Sequence, residues 1–239
     1  MRPLYSSNFD KTLLLCNLPI EVYFNNFESP IIIELPQMKD LIYNNDINIF
    51  IELLTNEQQW SNNGIFIAKN KMQMILATNK TIQNSTIPQT FKKFFPNLRI
   101  EKNKIMFEDI DIDEEQFDLL FDMFLVGCHR LDFDEFDKEK KSNAIQQDNE
   151  ISEFLKRQKE LEEKIHKSKA NSKKFELDKT VICILSYFPQ YKIEDLIKMN
   201  PYTFFTLYEW SLKREYQFVH DVAAGNGLMA KENKYQPLF

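Results

Sequence analysis

The sequence predicts an α+β fold, with short strands in a mixed N-terminal half and a predominantly helical C-terminal half. Residues 20–24 alternate apolar and polar side chains, and residues 30–35 form a short β-branched run, so both read as strands. From Asp113 onward the apolar residues recur at helical spacing. The predicted domains are therefore an α+β platform over residues 1–110 and a helical domain over residues 111–239, with an inserted arm at residues 138–176.

Composition limits the class of protein. Hydrophobic residues make up 43% of the 239 residues and phenylalanine alone occurs 21 times, which predicts a packed core. The net charge of -6 argues against a polyanion as the main partner. The 3 cysteines are widely spaced and odd in number, as is typical of a reducing compartment. Without a signal-like start or a run of about 18 apolar residues, we expect a soluble protein made in the cytoplasm.

The N-terminal half is expected to alternate short strands with short helices. The predicted strands pair as two hairpins, residues 20–24 with 30–35 and residues 98–100 with 104–107. The predicted helices run over residues 36–43, 46–54 and 88–95. Residues 64–78 fit either state, because Ile65-Phe66-Ile67 suggests a strand while Met72 to Leu76 suits both.

The C-terminal half is predicted to consist of helices with clear start and stop signals. Acidic residues from Asp113 onward occupy a first helical turn, where they meet the positive end of the helix dipole. Asn200 is a good N-cap, Pro201 suits the first helical position, and Gly225 supplies a stop. The predicted helices run over residues 113–127, 177–188, 193–199 and 200–225.

The inserted arm carries the most regular pattern in the chain. Apolar residues repeat with heptad spacing, and Glu and Lys cover the other faces. Three heptads with a Gln in the seam make a marginal free coiled coil, so we expect a helical hairpin, coiled-coil-like, that folds against neighbours. The seam consists of Ile151, Phe154, Gln158, Leu161 and Ile165.

The last helix carries more aromatic surface than one helix can hide. Its predicted packing face consists of Phe204, Tyr208, Ser211, Glu215, Val219 and Val222, widened by Leu207, Trp210 and Phe218. Dense aromatic side chains beside an arm are typical anchors of protein–protein interfaces. The predicted interface residues are Ile151, Phe154, Leu161, Ile165, Tyr202, Phe205, Trp210 and Phe218.

Possible metal sites have simpler structural explanations. Asp132, Asp134 and Asp137 suggest a calcium loop, but the sixth and twelfth positions hold Asp137 and Asn143 in place of Gly and Glu. A solvated acidic turn is the favoured interpretation. Glu108, Asp109, Asp111 and Asp113 alternate in a way that places several carboxylates on one strand face. No His, Ser or Gly-rich companion marks a pocket there.

Nucleophilic and nucleotide chemistry find no support in the sequence. Cys128 and His129 are adjacent, and adjacent residues of a helix point about 100° apart, so they do not converge as a catalytic pair. Phosphate-loop, dinucleotide-binding and nucleophile-elbow patterns are absent. We therefore predict that the protein is not an enzyme, with no catalytic, cofactor-binding or metal-binding residues and no cofactor.

The C-terminal segment resembles proteins of a known class. Residues 193–196, then Met199-Asn200-Pro201-Tyr202-Thr203 and Tyr208-Glu209-Trp210, are similar to small helical proteins encoded in the tail modules of tailed bacteriophages. These include tail assembly chaperones and baseplate or tail-completion proteins. The resemblance implies a non-enzymatic assembly or virion structural protein, found in the host cytoplasm during assembly or in the virion tail. Its expected partners are other tail or baseplate proteins or further copies of itself, and no membrane.

Two alternatives of other classes remain open from the sequence. One is a nucleic-acid-associated accessory protein that uses a basic arm tip formed by Lys167, Lys169, Lys173 and Lys174. The other is a metal-dependent enzyme with an acidic site near residues 108–113. Protein–protein contact is the leading hypothesis, because the net charge disfavours nucleic acid and the acidic segment lacks catalytic companions.

Overall fold

The computed structural model describes residues 5–55, 68, 70–81, 86–101, 104–142 and 177–225. Within these ranges the chain combines many helices with two small antiparallel sheets of three strands each, which confirms the predicted α+β class. The predicted arm at residues 138–176 lies outside the described residues from residue 143 onward, and so does its heptad seam.

The first sheet has the order β1-β2-β3, with β1 at Tyr5–Ser7, β2 at Ile20–Phe24 and β3 at Ile31–Ile33. The predicted pairing of the second and third strands is confirmed, since Ile20 lies opposite Ile33. Ile20, Val22 and Phe24 alternate with more exposed residues and are buried. The alternation of apolar and polar residues in this strand therefore indicates which side chains face the core.

The second sheet has the order β4-β5-β6, with β4 at Arg99–Glu101, β5 at Lys104–Phe107 and β6 at Ile110–Asp111. The predicted hairpin of the first two strands is confirmed, since Ile100 lies opposite Ile105. Ile105 and Phe107 of β5 point into the core. The third strand, β6, was not predicted and pairs with β5 through a tight turn at Glu108, whose φ is 53°.

Most helices begin and end close to the predicted residues. Lys71–Thr81 is a helix, which decides the ambiguous segment at Met72 to Leu76, whereas Ile65-Phe66-Ile67 lies outside the described residues. The helices are α1 Lys11–Leu15, α2 Met38–Tyr43, α3 Asn45–Thr55, α4 Lys71–Thr81, α5 Ile87–Phe94, α6 Glu114–Gly127, α7 Phe133–Ser142, α8 Leu177–Tyr187, α9 Ile193–Leu196 and α10 Pro201–Gly225.

The acidic segment near residue 132 is the start of helix α7: Asp132, Asp134 and Glu135 are exposed to solvent as predicted, but they belong to the first turn of a helix and its cap. Asp132 accepts the backbone N–H groups of Asp134 and Glu135 at 2.8 and 3.0 Å, so it caps the helix. Phe133 and Phe136 of the same segment pack on Phe9, with ring centroids 5.4 and 5.3 Å apart. The two aromatic rings therefore anchor a stretch whose charges suggested solvent.

Phenylalanine rings of α3, α5 and α6 build the main hydrophobic core. Phe121 of α6 is fully buried, and its ring centroid lies 4.5–6.4 Å from those of Phe50, Phe91, Phe95, Phe117 and Phe124. The core extends in sequence from Phe9 to Phe136 and also contains Tyr202. Residues on both sides of the predicted domain boundary at residue 110 thus contribute to one core.

A second, smaller hydrophobic cluster joins the C-terminal helices to α2. Its buried members are Met38, Ile184, Phe188, Leu196, Phe204 and Leu207. The backbone N–H groups of Met38 and Lys39 donate to the carbonyls of Met199 and Ile197 at 2.8 Å each, so the first turn of α2 is fixed to the connection that precedes α10.

The start of α10 is fixed to α1 by a buried polar contact. Asn200 accepts the N–H of Thr203 at 2.8 Å, which confirms it as the N-cap, and its side-chain amide donates to the carbonyl of Leu14 at 2.7 Å. The hydroxyl of Thr203 donates to the same carbonyl at 2.9 Å.

In the part of the chain that the structure describes, no helix is long and apolar enough to cross a membrane.

Candidate functional site

Among the side chains of helix α10 that the structure describes, which extend to Val219, the buried ones lie in the first half of the helix. Phe204, Leu207 and Ser211 lie against the rest of the protein and are at most 4% exposed. Helix α8 runs beside this half in the same direction: its start, at Leu177, lines a pocket with Phe205, and its end contacts Arg214, which donates to the carbonyl of Tyr187 at 3.1 Å. Because α8 ends at Tyr187, it does not extend along the second half of α10.

The second half of α10 exposes large apolar side chains. The exposed fraction is 42% for Leu212, 72% for Tyr216, 65% for Phe218 and 59% for Val219. The predicted packing face is thus correct for Phe204 and Ser211, but Glu215 and Val219 of the same face are exposed, so that part of the prediction was wrong. The sequence pattern of the helix is amphipathic, and within the described residues the neighbouring helix α8 covers only its first half.

Four apolar side chains of α10 lie on one face of the helix, and the first of them, Phe205, lines the pocket that also contains Leu177. Phe205, Leu212, Tyr216 and Val219 are spaced by 7, 4 and 3 positions, so at 100° per residue they fall within a sector of about 60°. Phe205 is half-buried and the other three are exposed. We call these four residues the α10 stripe. The stripe runs from the body of the protein toward the far end of the helix.

A cavity of about 470 Å³ lies at the start of the stripe, where α2, α8, α10 and the end of α6 meet. We call it the junction pocket. Its apolar wall consists of Met38, Leu41, Ile42, Leu177 and Phe205, and its polar groups come from Asn48, His129 and Arg130. Its volume lies within the range of about 300–1,000 Å³ that is typical of ligand-binding clefts, and most of its lining side chains are apolar.

His129 holds the polar edge of the junction pocket. Its ring stacks on Phe205 with centroids 5.1 Å apart and planes 13° apart, and its Nε2 lies 3.6 Å from a carboxylate oxygen of Glu209. The residue has a φ of 55°, which directs its side chain out of the end of α6 toward α10. Burial lowers the pKa of His129, and the charges of Glu209 and Asp132 oppose that shift.

Cys128 contributes to the pocket wall without being an available nucleophile. Its side chain is 2% exposed, and burial raises the pKa of the thiol well above its ordinary value. A thiol that stays protonated at neutral pH is a poor nucleophile and a poor metal ligand. Cys128 and His129 therefore act here as wall residues, by packing and ring stacking.

The carboxylates of residues 108–113 each have a separate partner. Glu108 accepts a hydrogen bond from the hydroxyl of Ser29, and Asp109 pairs with Arg99 at 3.1 Å. Lys104 pairs with Asp111, while Asp113 caps α6 by accepting the N–H of Gln116 at 2.7 Å. Among the described residues, no group of three or more His, Cys, Asp or Glu side chains is placed to hold a metal ion.

The predicted interface residues fall in different environments. Tyr202 is 9% exposed and belongs to the main core, and Phe205 forms the wall of the junction pocket. Trp210 and Phe218 are on the surface of α10. The four arm residues of the predicted interface, and the basic arm tip, lie outside the described residues.

Sequence reasoning did not select Leu212 and Tyr216 as interface residues. Their spacing of 4 positions, followed by 3 more to Val219, was the available signal.

Comparisons with protein-family models, with curated proteins and with solved structures found no match to this chain.

Proposed function

We propose that this protein is a non-enzymatic assembly protein that works by binding other proteins through the junction pocket and the α10 stripe. The observation that supports this most is the continuity of the two: Phe205 forms the pocket wall and also begins the stripe. A partner that inserts an apolar side chain into the pocket and lies along α10 buries both at once. Aromatic and aliphatic anchors in a partly preformed pocket are typical of binding hot spots.

The energetics favour a surface that becomes covered. Full burial of a Leu, Val or Phe side chain contributes about 1.5–3 kcal/mol each relative to its exposed state. Leu212 and Val219 of the α10 stripe are both more than two-fifths exposed, at 42% and 59%. Covering them stabilises a complex by about 1.5–3 kcal/mol before the entropy of association is subtracted.

The setting we propose is the tail of a tailed bacteriophage, with other tail or baseplate proteins as partners. This part of the proposal is supported by the resemblance of residues 193–210, which include the N-cap Asn200 and the first turns of α10. The cap and these turns hold the stripe in place, so the resembling segment is also the part of the chain that positions the proposed surface. No reactive group is needed for a role of this kind.

The test is a matched pair of double variants. Leu212→Glu with Val219→Glu places two charges on the stripe, whereas Ile182→Glu with Ile193→Glu makes the same change at exposed isoleucines of α8 and α9. We expect the stripe variant to lose at least about tenfold in affinity for a tail protein recovered with the wild type, and the control to bind as the wild type does. Binding is measured by titration calorimetry with the purified partner.

Circular dichroism and thermal melting establish that both variants fold, which is expected because all four positions are exposed. Equal affinity of the stripe variant and the control would rule out the stripe as the docking surface. Recovery of no tail protein by the wild type from phage-producing cells would count against the tail setting.

A further inference from the structure

We propose that the partner segment that enters the junction pocket carries a carboxylate beside its apolar anchor, as an Asp or Glu side chain, and that Arg130 binds this carboxylate. Binding of this kind rests on the function proposed above and adds the chemistry of the partner. It makes the junction pocket selective for an apolar group with a negative charge next to it.

Arg130 is the charged group of the junction pocket. The other polar residues that line it are Asn48, Cys128 and His129. Burial raises the pKa of the Cys128 thiol and lowers the pKa of His129, so both side chains are uncharged at neutral pH. Among the described residues that line the pocket, Arg130 alone therefore carries a charge at neutral pH.

The end of α6 fixes the backbone of Arg130 at the pocket edge. His129 has a φ of 55°, and its backbone N–H donates to the carbonyl of Val126 at 2.9 Å. The backbone N–H of Arg130 donates to the carbonyl of Leu125 at 2.9 Å. Two hydrogen bonds of this kind around a left-handed residue form a Schellman motif, which closes a helix and sets the direction of the chain that follows.

The guanidinium of Arg130 has no carboxylate partner within the described residues. The two other arginines of the described part of the chain do have polar partners. Arg99 pairs with Asp109 at 3.1 Å, and Arg214 donates to the carbonyl of Tyr187 at 3.1 Å. A guanidinium with unused N–H donors suits a carboxylate, because two parallel N–H groups match its two oxygens.

The neighbouring carboxylates lie outside the pocket. Glu209 is 3.6 Å from Nε2 of His129 and does not line the pocket, and Asp132 accepts two backbone N–H groups at the start of α7. The exposed charges along α10 have both signs, with Lys213 between Glu209 and Glu215, so the stripe does not select the charge of a partner. The selection for a carboxylate is therefore made at the pocket.

The first test uses two small probes that differ in charge, 4-phenylbutyrate and its neutral amide, 4-phenylbutanamide. Each combines one aromatic ring with one polar head group. We expect a dissociation constant on the order of 1 mM for the acid and at least about threefold weaker binding of the amide. Binding is followed at pH 7 by the NMR shifts of backbone amides, and those of Ile42, Leu177 and Phe205 should move.

Matched variants assign the preference to Arg130. Arg130→Gln should abolish the preference for the acid, whereas Lys92→Gln, which removes the same charge at an exposed position of α5 outside the pocket, should keep it. Arg130→Glu should reverse the preference, so that 4-phenylbutylamine binds more tightly than 4-phenylbutyrate. Both positions are exposed, so all three variants should fold, as checked by circular dichroism.

Failure of the acid to bind, equal binding of acid and amide to the wild type, or a preference that survives in Arg130→Gln would overturn the inference. A role of Arg130 confined to the C-terminal end of α6, where a cation favours the helix dipole, would lower the stability of Arg130→Gln and leave acid and amide equal in the wild type. A free fatty acid retained by the purified protein in native mass spectrometry, and lost in Arg130→Gln, would overturn the assignment to a partner protein.

The second test uses the tail protein recovered with the wild type. Arg130→Gln should bind it at least about threefold more weakly than Lys92→Gln at low salt, and this difference should shrink as the salt concentration rises. Equal affinity of these two variants, with binding still lost in the Leu212→Glu, Val219→Glu variant, would overturn the inference and leave the proposed function standing. Recovery of no tail protein, together with acid-selective binding of the probes, would count against the proposed function and still support the selectivity of the pocket.

Discussion

Replacing Asn200 by alanine should destabilise the protein far more than a typical N-cap change, because this side chain joins two distant elements. Asn200 is fully buried, accepts the N–H of Thr203 and donates to the carbonyl of Leu14. Loss of the cap leaves the buried N–H of Thr203 without an acceptor, which places the cost at the upper end of the range for N-caps, about 2 kcal/mol. Loss of the second hydrogen bond costs about another 1 kcal/mol.

We therefore expect Asn200→Ala to lower the free energy of unfolding by about 3 kcal/mol and the Tm by roughly 6–12 °C. The measurement is urea denaturation followed by circular dichroism, with the midpoint and the slope fitted together. Thr203→Val is the matched control: it removes only the hydroxyl bond to Leu14, while Asn200 still donates to that carbonyl, so a loss of about 1 kcal/mol is expected. A loss below about 1 kcal/mol for Asn200→Ala would refute the account of Asn200 as the joint between α1 and α10.

Three further outcomes follow from burial and charge. Phe121→Ala should lower the free energy of unfolding by about 3–5 kcal/mol, whereas Phe218→Ala, the same change at a residue that is 65% exposed, should stay within about 0.5 kcal/mol in urea denaturation. In the native protein a thiol reagent should modify the exposed Cys16 rapidly and the buried Cys128 only after denaturant is added; equal rates by mass spectrometry would contradict the packing. Burial lowers the pKa of His129 in the folded state, so the stability that this residue contributes should be fully present above its unfolded pKa and should decrease as the pH falls below it. His129→Gln should therefore reduce the change of the free energy of unfolding with pH between about pH 7 and 5. A raised pKa of His129 in an NMR titration would show the sign to be wrong.

The sequence was informative where one local signal determines the structure. Alternation at Ile20 to Phe24 was sufficient to predict a half-buried strand, and Asn200 followed by Pro201 was sufficient to predict the start of α10. The start of α7 was missed because a run of acids suggested solvent. Its two phenylalanines pack on Phe9, more than 120 residues earlier in the chain, and no local pattern reports such a contact.

The candidate site shows the same limit more clearly. Periodicity reports that α10 is amphipathic, but the exposed half is set by the point where α8 ends, at Tyr187. The junction pocket likewise needs Ile42, His129 and Phe205 to meet, and these come from three separate parts of the sequence. Single side chains of the site were within reach of sequence reasoning, whereas the continuity between pocket and stripe was not.

The anchored half of α10 and its exposed half depend on each other in function. An isolated helix of about 12 residues, the length of the exposed half, is marginal in water. The exposed half would therefore lose much of its helical order if the first half of α10 were not fixed to the rest of the protein. The Asn200 joint and the burial of Phe204 and Leu207 supply that start, and a preformed stripe loses less conformational entropy when a partner binds. A change at Asn200 should therefore weaken docking as well as folding, even though the residue lies far from Leu212, Tyr216 and Val219 along the helix.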